Sequence, residues 1–130
     1  MSLAPDAGLD RETRATLDTI ERFQAAFARC DVDGVMAAMT EDCVFESTTP
    51  PDGERHVGQA AVRACWEALF ATSTDPVFET GETVALGDRA VVRWRYSWAE
   101  PGGGRPHVRG LDLFQVRDGR VAEKLSYVKG

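Results

Sequence analysis

The sequence predicts an α+β fold in which N-terminal helices pack in the concave face of a curved, mostly antiparallel sheet. Helical periodicity is confined to the first half of the chain. After Pro76, four strand-like runs follow one another with hairpin-type separators between them. The long first helix also carries an apolar stripe, which a sheet can bury by curling around it. A sheet curled in that way, with helices closing one end, makes a cone, and a cone contains a pocket.

Residues 1–9 lack periodicity and read as a flexible tail, leaving residues 10–130 as a single domain. From Asp10 to Arg29 the pattern is helical, with Leu17, Ile20, Phe23 and Phe27 on one stripe between charged positions. “CDVDGVMAAMTEDC” predicts a short second helix, capped by Asp31 or Asp33, with Val35, Met36 and Met39 on its apolar face. “CVFES” (43–47) is a short strand, and “TTPPDGER” is a loop because two prolines and Asp-Gly interrupt it. Gly58 opens a third helix, “QAAVRACWEALFAT”, with Val62, Cys65, Trp66, Leu69 and Phe70 on one side. “VFETGETVAL”, “RAVVRWRYSWAE”, “HVRGLDLFQVR” and “RVAEKLSYVK” then form an antiparallel meander, separated by “GD”, “PGGGRP” and “DG”.

Composition excludes some partners. A net charge of -6, from 15 basic and 21 acidic side chains, argues against nucleic acid or an anionic membrane, both of which select a basic face. Three scattered cysteines form no disulfide framework or metal spacing, which suits a reducing cytoplasm. The N-terminal residues do not resemble a secretory signal, and no apolar run approaches the roughly 20 residues that span a bilayer. No nucleotide fingerprint or metal motif is present, so no cofactor is implied.

Asp112 is the anomaly in the third strand of the meander. Aspartate is a poor strand former, and an unpaired buried carboxylate is costly. Its same-parity neighbours are Val108, Gly110, Phe114 and Val116, an inner-face set. Desolvation among them would raise a carboxyl pKa by up to ~3–5 units, into the range useful for acid–base chemistry. The competing placement is the solvent face, with Arg95 or Lys124 as partner. Trp94, Tyr96 and Trp98 share one face of the preceding strand, where Tyr96 could share a substrate oxygen with Asp112. His56, near the third helix, could line the mouth of the cone, and His107 opens a strand after a Gly-rich turn. Glu46 points outward if Cys43, Phe45 and Ser47 point inward, and reaches the pocket only if the strand bends. Phe23, Phe27, Met39, Phe45, Trp66 and Phe114 complete the candidate apolar lining.

Three segments, “AFARCDVDGVMAAMTEDCVFES”, “HVGQAAVRACWEALF” and “RGLDLFQVRDGRVAEKLSYV”, occur in an order and spacing that resembles the SnoaL-like branch of the NTF2-like superfamily. That superfamily includes ketosteroid isomerase, limonene epoxide hydrolase and polyketide cyclases. The resemblance covers about residues 10–128 and implies the NTF2-like cone. “GLDLF” is similar to the setting of an isomerase aspartate, which would place Asp112 inside the cone as acid–base or oxyanion-stabilising group. The isomerase tyrosine position falls on Phe23 and its base position on Ser47, beside Glu46, so two of its three groups do not carry over. The epoxide hydrolase pairs arginine and aspartate two apart. Here Arg109 and Asp112 are three apart and face opposite sides unless Gly110 is bulged. An inward acid on this strand also resembles the cyclases. The resemblance therefore implies a cofactor-independent isomerase, cyclase or hydratase/hydrolase type of enzyme acting on a small oxygenated hydrophobic molecule. Asp112 would be assisted by Tyr96, His107 or Glu46. It further implies a homodimer through the sheet, with Arg93 and Arg95 in cross-subunit pairs. The alternative is a non-catalytic ligand-binding or dimeric interaction module.

Overall fold

The first helix, α1 (Arg11–Ala28), starts where Asp10 accepts a hydrogen bond from the Thr13 amide at 2.7 Å. The computed structural model describes residues 9–129, so the expected tail lies, apart from Leu9, outside the described residues. Ile20, Phe23 and Phe27 are buried, as the stripe predicts, but Leu17 is only half-buried. The buried face runs instead through Thr13, Thr16 and Thr19. Thr16 donates to the Gly87 carbonyl (2.7 Å) and the Gly87 amide donates to Thr13 (2.8 Å). A turn glycine thus fixes the N-terminal half of α1, while aromatic packing fixes the C-terminal half.

The second helix, α2 (Val32–Ala37), is capped by Asp31, one of the two predicted candidates. It is shorter than expected, because Met39 already belongs to a strand, β1 (Met39–Glu46). A second strand, β2 (Arg55–Val57), was not expected, since Pro50, Pro51 and Asp52-Gly53 mark the segment as loop. Those residues form only the connection. Once the chain has turned, Arg55, His56 and Val57 pair antiparallel with Glu46, Phe45 and Val44.

Helix α3 (Gln59–Thr72) begins after Gly58, whose φ of 91° lies in the left-handed region that favours glycine. The meander follows as β3 (Val77–Leu86), β4 (Arg89–Ser97), β5 (His107–Arg117) and β6 (Arg120–Val128). Among the described residues the sheet has six strands in the order β2-β1-β6-β5-β4-β3, with β1 and β6 parallel and the other pairs antiparallel. The late strand β6 therefore sits centrally, between β1 and β5. Two register shifts add residues to the meander, one in β3 between Thr80 and Thr83 and one at Ala122 of β6. Such bulges bend and twist a strand.

The inner face packs on α1 and α3. Phe23 contacts Phe114 edge-on at 5.5 Å, and Phe27 meets Trp66, Phe70 and Phe78 at 4.9–5.1 Å between ring centroids. Truncating a fully buried member of this aromatic cluster, such as Phe23, to Ala is expected to cost about 3–5 kcal/mol.

Candidate functional site

The inner face follows directly from the strand registers. Phe45, Lys124, Phe114 and Ala90 lie side by side across β1, β6, β5 and β4. The next row places Ser126 beside Asp112 and Asp112 beside Val92, and a third aligns Val128, Gly110 and Trp94. Between these rows and the helices is a cavity of about 580 Å³. Phe27 of α1 and Trp66, Cys65 and Leu69 of α3 close one side. Phe45, Phe78, Trp94, Tyr96 and Trp98 supply further walls, with Glu54 and His56 also in the lining.

Asp112 lies in this cavity, and its side chain is only 4% exposed. It is not an isolated acid. Lys124 Nζ stands 3.2 Å from Asp112 Oδ2, with its own side chain 8% exposed. Lys124 also donates to Ser126 Oγ at 2.8 Å, and Ser126 donates to Asp112 Oδ1 at 2.6 Å. Both carboxylate oxygens are therefore engaged within one closed triangle. The ammonium lies 4.9 Å from the Phe45 ring centroid, 5.3 Å from Trp66 and 5.6 Å from Phe27, within cation–π range of all three. The Trp66 indole N–H is buried without a hydrogen-bond partner among the described residues. The sequence offers Lys124 only as a solvent-face partner for Asp112; the two do pair, but inside the cone.

Other candidates are distributed differently. Phe27, Phe45, His56, Trp66, Trp94, Tyr96 and Trp98 line the cavity. Phe23, Met39 and Phe114 are core residues outside its lining. Tyr96 does not reach Asp112, because its hydroxyl is hydrogen-bonded to Ser73, the residue that ends α3. His107 is exposed at the start of β5 with the opposite parity to Asp112, and it is absent from the lining. Glu46 also faces away, 3.7 Å from Arg55 across β1 and β2, since β1 alternates regularly there and does not bend inward.

Gly110 is not bulged. Trp94, Arg95 and Arg93 face Gly110, Arg109 and Leu111 in unbroken register, so Arg109 stays on the outer face. The glycine serves a different purpose. A Cβ there would collide with the Tyr127 carbonyl and come within 2.6 Å of the Trp94 ring, so its absence leaves room for that indole to approach the β5 backbone.

Burial pushes the Cys65 thiol in the cavity wall above its ordinary pKa, with the Glu54 carboxylate adding to the effect. The thiols of Cys43 and Cys30 are raised by burial too. Among the described residues no three His, Cys, Asp or Glu side chains cluster to hold a metal ion. No helix among them is long and apolar enough to cross a membrane. Among the polar groups lining the cavity, the Asp112 carboxylate, the Lys124 ammonium and the Ser126 hydroxyl are in mutual contact, a set able to accept, hold and return a proton.

The comparisons with known proteins agree with this architecture. An NTF2-like protein of unknown function from Mesorhizobium loti is 38% identical over all of both chains, with a TM-score of 0.79. A protein named as a candidate SnoaL-like polyketide cyclase from Jannaschia is 18% identical, covering 99% of this chain and 91% of its own, with a TM-score of 0.78. TerC, crystallised with polyporic acid, is 17% identical over 88% of this chain and 92% of its own, at 0.75. Among curated proteins none matches. The family model for the SnoaL-like domain matches residues 20–124, which spans the aromatic stripe of α1, the cavity wall and Lys124 itself. With helices, sheet order and sequence all in agreement, the chain belongs to the SnoaL-like domain family, within the NTF2-like fold group.

Proposed function

We infer that this protein is a small-molecule enzyme that moves a proton at a carbon atom beside a carbonyl group, with Asp112 as the base. The observation that carries this reading is the Asp112–Ser126–Lys124 triangle buried in an aromatic cavity. Asp112 would take a proton from the carbon, and the Lys124 ammonium would stabilise the enolate oxygen. The sequence offers this carboxyl as an acid–base or oxyanion-stabilising group; the Lys124 ammonium 3.2 Å away supports the role of base, because it can hold the oxygen that becomes negative when Asp112 takes the proton. The cavity walls select an apolar body, and the triangle selects one oxygen-bearing end. That TerC, of the same fold, was crystallised with polyporic acid supports a small organic molecule as occupant.

The test is deuterium incorporation from heavy water into 2-tetralone, an apolar ketone with acidic α-protons, followed by NMR. The protein is expected to accelerate exchange, and Asp112→Asn to remove about 10²–10⁴-fold of that acceleration. Exchange no faster than in buffer would overturn the proton-transfer reading.

A second reading is a non-catalytic binding module, favoured by the fact that Asp112 and Tyr96 are both satisfied by their own neighbours. It predicts that 2-tetralone quenches the cavity tryptophans without exchanging its protons. For assembly, exposed Val57, Val84, Leu86 and Tyr127 on the outer sheet face support a homodimer through the sheet. Three free thiols are in keeping with a cytoplasmic location; secretion of the protein into the periplasm or medium, seen on fractionation, would overturn that placement.

A further inference from the structure

The choice of cation in the cavity carries more information than its charge. Of 15 basic side chains in the sequence only two are lysines, Lys124 and Lys129, and the rest are arginines. Arginine stays protonated in proteins, whereas a lysine ammonium can release its proton and become a nucleophile. The chain uses arginine for its other ion pairs among the described residues and places lysine at the one buried inside the cone. A proton acceptor, Asp112 Oδ2, is 3.2 Å from that amine, and Ser126 bridges the two by a second route.

We propose that Lys124 condenses with the carbonyl group of an apolar aldehyde or ketone in this cavity, forming an imine. The inference rests on the cavity being a ligand site, as in the reading above, but not on proton transfer at carbon. Asp112 first takes a proton from the ammonium, leaving a neutral Nζ. The nitrogen lone pair attacks the carbonyl carbon as the C=O π pair moves onto oxygen, and a proton passes from nitrogen to that oxygen. Asp112 then returns its proton to the hydroxyl, which leaves as water while the nitrogen lone pair forms the C=N bond. One ammonium and one carbonyl give one protonated imine and one water, the Asp112 carboxylate ending as it began, with no oxidant or reductant. The product places a cation where the ammonium had been, beside the Asp112 carboxylate and in range of Phe27, Phe45 and Trp66. Walls of this kind exclude bulk water, which slows hydrolysis of the imine.

The experiment is reductive trapping at neutral pH with 2-naphthaldehyde and cyanoborohydride, followed by peptide mapping of the full chain. Lys129 is exposed and is the internal reference. Accessibility alone favours Lys129, so the expected result, labelling of Lys124 about tenfold faster, is opposite to a surface effect. Lys124→Arg, checked for folding by circular dichroism, is expected to abolish labelling in that segment while Lys129 still reacts slowly. The wild-type ratio decides the matter even where that variant fails to fold. Equal or faster labelling at Lys129, or none at Lys124, overturns the imine. Lost labelling with deuterium exchange retained removes this inference and leaves proton transfer in place, and the converse pattern does the reverse.

Discussion

Asp112 and Lys124 illustrate how differently two side chains of one pair can be read from sequence. The inward direction of Asp112 is legible, because Val108, Phe114 and Val116 share its parity on a strand without a bulge at Gly110. Lys124 is not. In “RVAEKLSYV” alternate spacing groups Val121, Leu125 and Tyr127 on one face and leaves Lys124 and Ser126 on the other, which looks like solvent. The extra residue at Ala122 reverses that parity, so Val121 and Ala122 are both buried and Lys124 and Ser126 turn inward. The pair should also behave as a unit in stability. Lys124→Ala leaves a buried carboxylate without its cation and is expected to cost about 3–5 kcal/mol in urea unfolding. Replacing both groups, as Asp112→Asn with Lys124→Met, is expected to recover most of that loss; a double variant as unstable as the single one would contradict the pairing. Gly110→Ala should cost about 1–3 kcal/mol and, by displacing the Trp94 indole, shift its fluorescence. An unchanged spectrum would show that the ring does not depend on the missing Cβ.

At the level of elements, the meander and the two longer helices follow from periodicity, whereas β2 and the start of β1 do not. Three residues carry no measurable alternation, and β2 exists because the edge of β1 offers unpaired backbone groups. Likewise Met39 reads as the apolar end of a helix and is buried equally well as the first residue of a strand. The link between β1 and the end of β5 has a pH signature. Hydrogen bonding from Thr40, and then from Arg117, holds the Asp42 carboxyl below its ordinary pKa. A depressed folded-state pKa contributes stability above the unfolded value of about 3.9, and that contribution is lost as pH falls through the folded value. Asp42→Asn should therefore flatten the acid limb of a urea-midpoint titration below about pH 4 and leave its shape near neutrality unchanged. An acid limb as steep as in the wild type would dismiss Asp42 as a contributor.

On the scale of the molecule, one sheet separates two environments. Its inner face holds the aromatic cavity, and its outer face carries exposed Val84, Leu86, Leu111 and Tyr127 beside Arg95 and Arg109. Arg93 is paired with Glu82 of its own chain at 3.6 Å rather than being left for a second subunit. Apolar exposure of this extent on the outer face of the sheet predicts association. Light scattering is expected to give a dimer, and Val84→Glu with Leu111→Glu a monomer with its cavity intact; a monomeric wild type would refute the homodimer. The place of β6 in the strand order has a consequence during synthesis. Met39, at the start of β1, is paired with Val121, so a nascent chain that has exposed its helices and first strand holds an edge with no neighbour until β6 has been translated. Through most of elongation the apolar face of α1 and the open side of β1 remain uncovered, so the growing polypeptide is exposed to wrong pairing and aggregation until its last strand is made.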